Sequence, residues 1–295
     1  MEFRPLHAFT LEQLTSLWNE GFQHYYVNLN FTLDMFLKRT ATEGLSLAHS
    51  LAIMDGERPV GFVMNGFRQE SGRKIAWNGG TALIPEYRGR GIGKLLIDEA
   101  LRMYRAENVD VALLEAIKEN ASAIALYRKC GYAVIDTLAF YQWEGQIGED
   151  AFGDPDRSNR YTFTVGNPQD VRRLSFHEEP QPWQSQWQSL QLGGLAIIAS
   201  DPDGEPAGYA LLKRVLDEQG VHRSTILYQC AAKADAPDRS SLMRALLSRT
   251  FASAQPIICR TGNFPLSQCE VVEMLERASF KSTLEQVHMK LVLQE

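Results

Sequence analysis

The chain has 295 residues, 44 % hydrophobic and 22 % charged, the balance of a folded globular protein and enough length for two domains with separate cores. A formal net charge of −6 argues against nucleic acid or an anionic membrane as partner, and no apolar run approaches the roughly 18–20 residues of a membrane span. The start MEFRPLHAFT lacks a signal peptide's basic head and apolar centre, and Cys130, Cys230, Cys259 and Cys269 show neither metal spacing nor a disulfide framework, so the reading is cytoplasmic and metal-free.

Thr10-Leu-Glu-Gln13 is a capping box that predicts a helix through Leu14, Leu17, Trp18 and Phe22. A second helix is expected from Thr32 to Thr40. Between them Gln23-His24-Tyr25-Tyr26-Val27 is dense in aromatics, which serve either as core or as the wall of a cleft. Ser46–Met54 and Val60–Phe67 read as a hairpin around Asp55-Gly56-Glu57-Arg58-Pro59, and Lys74–Ile84 as a third strand.

That strand runs into Pro85-Glu-Tyr-Arg88-Gly89-Arg90-Gly91-Ile92-Gly93-Lys94, followed by apolar residues at helical spacing (Ile92, Leu95, Leu96, Ala100, Met103). Glycines let backbone N–H groups approach a ligand, and a helix N-terminus attracts anions. Arg88, Arg90 and Lys94 add positive charge, so the stretch reads as a pyrophosphate cradle. The alternating glycines miss the dinucleotide fingerprint, and Leu95 after Lys94 breaks the P-loop pattern. The spacing Arg88-x-x-Gly91-x-Gly93 resembles instead the acyl-CoA motif of the GNAT (Gcn5-related N-acetyltransferase) family.

Val109–Ile117 reads as a buried parallel strand whose one acid is Glu115. Then Asn120-x-x-Ala123-x-x-Leu126-Tyr127-x-Lys129-x-Gly131-Tyr132 predicts a helix capped by Asn120 and closed by Gly131, and it also resembles the second GNAT signature. A strand from Ala133 to Trp143 completes the unit.

After a polar stretch, 146–160, read as a linker, the pattern returns. Asp203-Gly-Glu-Pro-Ala-Gly-Tyr209 echoes Asp55–Phe62 at a shift of 147–148 residues, Ser279-Phe280 echoes Gly131-Tyr132, and Asn167-Pro-Gln-Asp170 predicts a helix start. At that shift Ala236, Arg239 and Ser241 replace Arg88, Gly91 and Gly93, Leu275 replaces Tyr127, and Asn263 falls opposite Glu115. The expectation is an α+β protein of two GNAT-like domains in tandem (1–145 and 161–295), each a mixed, mostly antiparallel twisted sheet flanked by helices. The second copy is degenerate.

The resemblance implies an acetyl-CoA-dependent N-acetyltransferase without metal, acting on a small-molecule or peptide amine by direct attack. It implies that Arg88, Gly89, Arg90, Gly91, Ile92, Gly93 and Lys94 bind the pyrophosphate, and that Leu83 and Ile84 pair with the pantetheine arm. Asn120, Ala123 and Tyr127 would complete the cofactor site. Tyr127 would protonate the leaving thiolate, the alternative being a core aromatic, and Glu115 would act as base, the alternative being a structural carboxylate. Tyr25 and Tyr26 would border the acceptor cleft. The rival is a non-catalytic CoA-binding sensor or scaffold. Nucleic acid and membrane are not expected partners, and both monomer and homodimer stay open.

Overall fold

The computed structural model describes residues 1–148, 150–153, 160–177 and 181–294. They form two units, Met1–Ile135 together with Val287–Glu295, and Asp136–Gln286.

In the first unit, β1 (Glu2–Pro5) precedes α1 (Leu11–Gly21), whose capping box forms as expected: the Thr10 side chain accepts from the Gln13 N–H at 3.3 Å, and Gln13 Oε1 accepts from the Thr10 N–H at 2.8 Å. Thr32 caps α2 (Leu33–Glu43), which ends on left-handed Gly44. Strands β2 (Leu45–Asp55), β3 (Arg58–Glu70) and β4 (Arg73–Leu83) run antiparallel in sequence order after β1. Helix α3 (Ile92–Ala106) then crosses over to β5 (Val111–Ile117), which pairs parallel with β4, and α4 (Ala121–Lys129) follows. Residues 287–292 of the last strand lie beside β5. Strand alternation puts Phe62, Trp77 and Glu115 on the face covered by α1 and α2, where Trp18 stacks on Phe62 at 5.4 Å. Asn65, Asn78 and Thr81 lie on the face covered by α3, where the Tyr104 hydroxyl donates to Asn65 Oδ1 at 2.6 Å.

The second unit repeats this plan. It contains β6 (Ala133–Gly145) from Asp136 onward, β7 (Thr162–Gly166), β8 (Gly194–Ser200), β9 (Pro206–Leu216), β10 (His222–Ala232), α5 (Arg239–Phe251), β11 (Ile257–Thr261), β12 (Phe264–Pro265), α6 (Cys269–Arg277) and the first half of β13 (Lys281–Val292). The β10–α5–β11 crossover is parallel, like β4–α3–β5. Helix α6 falls at α4 plus 148 residues at both ends. Leu246, Phe251 and Phe280 centre its core.

Two expectations differ from the structure. Asn167 and Asp170 do form a capping box, but only a six-residue 3-10 turn follows, Pro168–Arg173. After Val171 and Leu174 the next positions of the helical stripe are Glu178 and Glu179, so no apolar face sustains a helix. The unit boundaries also differ from 145 and 161. From Asp136 β6 pairs within the second unit, with β11. The C-terminus belongs to the first unit, where the Leu293 N–H donates to the Asp110 carbonyl at 2.8 Å. A strand's own residues do not specify which sheet receives it. Of the linker read at 146–160, residues 149 and 154–159 lie outside the described residues.

Candidate active site

The glycine loop leaves β4 through a single 3-10 turn, Pro85–Tyr87, held from outside by the Tyr87 hydroxyl donating to Asp55 Oδ2 at 2.5 Å. Gly89 and Gly91 both take positive φ (73° and 78°), a conformation that costs any residue with a Cβ, and the space beside each is open. Gly91 is the N-cap of α3 and supplies no side chain, so the first-turn N–H groups face that open space with the helix dipole behind them. Gly93 serves differently: a Cβ there would lie 3.2 Å from Leu126, so it sets the approach of α3 to α4. Ile92 is buried and anchors the helix start.

The three cations do not converge on the cradle as the sequence suggests. Lys94 reaches along α3 to Asp98 Oδ2 at 2.5 Å, and this hydrogen bond raises its ammonium above the usual lysine range. Arg90 sits over the Tyr87 ring at 5.4 Å. The Arg88 guanidinium is turned away, onto the carbonyls of Leu83, Gly21 and Gln23.

Beside the cradle, β4 and β5 part. Their parallel pairing runs from Ile75↔Val111 to Asn78↔Leu114 and stops, although both strands continue. The cause is an extra residue in β4, Gly79, a bulge between the Met64↔Gly80 and Asn65↔Asn78 rungs. A Cβ on Gly79 would meet Trp77 at 2.4 Å and Leu45 at 2.7 Å, so only glycine fits. Beyond the bulge, the Ile84 N–H bonds the Val60 carbonyl, so it is not available to donate to a ligand, and the Ile84 carbonyl accepts from the Tyr87 N–H. Ladder alternation turns the Leu83 N–H the other way, toward the gap.

Tyr127 comes to this gap from α4. It is buried, with its hydroxyl hydrogen-bonded to Thr81 and Asn78, and burial pushes the phenol up to about 12. The proton therefore stays on the oxygen across the neutral range. Asn120 caps α4 by accepting the Ala123 N–H at 3.2 Å, which occupies the backbone donor of Ala123, and it also bonds the Tyr25 hydroxyl. Burial raises the Tyr25 phenol. Tyr26 is exposed and donates to the Glu119 carbonyl at 3.3 Å. The aromatic loop after α1 thus reaches the mouth of the β5–α4 turn.

Glu115 stands on the opposite face of the sheet from Tyr127, one residue past the last β4–β5 rung. Trp77 Nε1 donates to its Oε2 at 2.6 Å, and its Oε1 lies 3.9 Å from His288 Nε2. Sequence analysis passed over Trp77, Asn78, Thr81 and His288. The signal available was a polar pair, Asn78 and Thr81, in the strand that leads into the motif.

Among the described residues, the second unit shows no equivalent opening. Helix α5 begins at Asp238, a non-glycine residue at positive φ (53°). Glu270 stands beside the start of this helix, accepting from the side chains of Arg239 and Ser240. Where β10 and β11 would part, residues 184–185 occupy the gap. Gln229 Nε2 donates to the Ser185 carbonyl at 2.7 Å, Ser185 Oγ donates to the Gly262 carbonyl at 3.0 Å, and Asn263 Nδ2 donates to Gln184 Oε1 at 2.5 Å. Leu275 stands fully buried at the position of Tyr127.

Among the described residues, no group of three or more His, Cys, Asp or Glu side chains could hold a metal ion, and no helix is long and apolar enough to cross a membrane.

Residues 9–132 match the model of the acetyltransferase (GNAT) family, so the first unit is a domain of that family, and the second unit repeats its fold in tandem. Among solved structures it is similar to a GCN5-related glucosamine N-acetyltransferase region of a fungal multi-domain GH3 β-N-acetylglucosaminidase (TM-score 0.70, 15 % identity). That likeness covers 95 % of this chain but 36 % of the fungal one, so the chain spans about a third of that protein's length. It is also similar to a GCN5-related N-acetyltransferase from Sphaerobacter thermophilus (TM-score 0.67, 13 % identity, 100 % and 96 % of the two chains). A tandem GNAT protein of the clavulanic acid biosynthesis pathway matches over 99 % and 98 % of the chains (TM-score 0.61, 14 % identity). At such identities these likenesses establish the fold. No curated protein sequence matches the chain.

Proposed function

We propose that the first unit transfers an acetyl group from acetyl-CoA to a primary amine, by direct attack, and that the second unit is a degenerate, structural copy. The observation that carries this reading is the buried Tyr127 side chain beside the β4–β5 gap, next to the open N-terminus of α3. The residues present fit the cosubstrate: amides of the turn from Gly89 to Gly93 would hold the pyrophosphate, and the Leu83 N–H would pair with the pantetheine arm. Acetyl-CoA supplies an acyl group activated as a thioester.

The chain's own residues handle two protons. As the amine nitrogen bonds to the acyl carbon and the carbon–sulfur bond breaks, Tyr127 holds a proton for the departing sulfur, and Glu115, on the opposite face, accepts the proton shed by the amine. Gln23 to Tyr26 line the approach of the acceptor. No covalent enzyme intermediate is required, so no nucleophile is assigned.

The test is calorimetric titration with acetyl-CoA of the wild type and of Gly91→Glu, followed by a screen of amines for free-thiol release. One site per chain, lost in Gly91→Glu, with amine-dependent thiol release, supports the reading. No binding by the wild type, or binding without transfer to any amine class, refutes it.

A further inference from the structure

Arg88 opens the motif at the position where a phosphate cation is expected, yet its side chain is committed elsewhere. Nε donates to the Leu83 carbonyl at 3.0 Å, and Nη2 donates to the carbonyls of Gly21 and Gln23 at 3.0 and 2.8 Å. Three of its five N–H donors are thereby used on backbone oxygens. One of those oxygens, that of Gly21, ends α1, where unpaired carbonyls carry the negative end of the helix dipole and favour a cation, and the Gln23 carbonyl lies two residues further on, in the loop. The third belongs to the last residue of β4, on the edge of the gap.

What Arg88 grips decides what it does. Immediately after Gly21 the chain forms the aromatic loop, in which Phe22 meets Tyr25 edge-on at 5.1 Å and Tyr25 meets Tyr26 at 5.4 Å. The loop's far side is bonded to the β5–α4 turn through Tyr25 to Asn120 and Tyr26 to Glu119. One guanidinium therefore fixes the distance between the phosphate loop, the edge of the gap and the loop that faces the acceptor. A planar fork can serve three carbonyls in fixed directions, whereas a lysine is a single point charge.

We propose that Arg88 is a positioning residue: it couples the phosphate loop to the acceptor loop Phe22–Tyr26 rather than binding the pyrophosphate. The proposal rests on the acetyltransferase reading above and deepens it at the same site.

The experiment uses the full-length protein, as wild type, Arg88→Met, Arg88→Lys and Lys94→Met. CoA affinity is measured by calorimetry, and hydrogen–deuterium exchange of residues 20–31 with and without CoA. The expected result is that CoA slows exchange of this segment in the wild type and in Lys94→Met. In Arg88→Met and Arg88→Lys that protection is lost, while CoA affinity stays within about threefold of wild type. With the amine selected by the thiol-release screen, the acceptor KM of Arg88→Lys rises about tenfold or more at little change in the KM for acetyl-CoA.

Three outcomes overturn the proposal. One is CoA affinity falling tenfold or more with loop protection intact, which makes Arg88 a phosphate ligand. Another is protection unchanged in both variants. The third is full recovery of protection in Arg88→Lys, which makes charge alone sufficient. If Arg88→Met loses binding and protection together, Arg88→Lys decides: affinity restored by the lysine makes the charge a phosphate ligand and overturns the proposal too. No CoA binding by the wild type overturns both readings, and so is distinguishable from failure of the coupling alone.

Discussion

Trp77 donates its indole N–H to Glu115 at 2.6 Å just where β4 and β5 cease to pair, so the carboxylate is aimed by the strand that forms the other wall of the gap. A carboxylate in an apolar strand is held only by such partners, and in the proposed reaction the same bond orients it for proton acceptance. Glu115→Gln keeps the shape and removes the proposed base. The expected result is a fall in kcat of about 10²–10⁴ with the KM for acetyl-CoA little changed. Trp77→Phe removes the donor and should cost about tenfold in kcat by letting the carboxylate turn. Steady-state kinetics of both variants check this; unchanged kcat with a lowered melting temperature would make Glu115 a structural carboxylate.

Tyr127→Phe removes one hydroxyl from a packed site and leaves the ring. Acetyl-CoA affinity should hold within a few-fold while kcat falls about 10²-fold or more. Because burial pushes the phenol up to about 12, loss of the Tyr127 proton should contribute no alkaline limb to the wild-type kcat profile below about pH 10. Rate profiles from pH 6 to 10 test it, and a limb near pH 9 that disappears in Tyr127→Phe would contradict the assignment.

Stability should fall in alkali for a related reason. Burial raises the thiols of Cys230 and Cys259 from 9.0 to about 12 and that of Tyr127 from 10.0 to about 12. Tyr104 and Tyr132 shift in the same direction, again chiefly through burial. Each group holds its proton longer folded than unfolded. Its contribution is therefore complete below the unfolded value and is lost as pH climbs toward the folded one. Melting temperature should be flat between pH 7 and 8.5 and drop by several degrees by pH 10.5. A flat profile to pH 10.5 would show that these groups titrate freely.

Much of this architecture was legible because local signals and tertiary packing agree. The Thr10–Gln13 box, the Asn120 cap and left-handed Gly131 (φ 96°) all follow from side-chain and φ chemistry within a few residues. The repeat was legible because turns and helix ends recur at one shift. Hidden from the sequence were facts that depend on distant partners. Arg88 reads as a free cation until the carbonyls of Gly21 and Gln23 are seen beside it. Ile84 looks like a backbone donor for the pantetheine arm until its N–H is found bonded to Val60. Gly79, three residues after Ala76 in a run of small residues, gives no sign of being the bulge that opens the gap. His288 lies far along the chain, and nothing local places it near Glu115.

The second unit carries the last prediction, and it turns on what replaced the glycines. In the first unit an uncapped helix faces open space. In the second the chain's own anion, Glu270, stands at the start of α5, bound to the side chains of Arg239 and Ser240. A carboxylate there, with Asp238 beside it, repels a pyrophosphate. Removing Glu270 alone should not restore a site, because Gln184 and Ser185 still fill the gap between β10 and β11. Glu270→Ala should therefore lower stability by about 1–2 kcal/mol, chiefly by leaving partly buried Arg239 unpaired, and leave the stoichiometry at one CoA per chain. Denaturant unfolding and calorimetry on the same preparation measure both quantities. A second CoA site, in the wild type or in Glu270→Ala, would mean that the second unit's self-occupied cradle yields to ligand and that the copy is not degenerate in function.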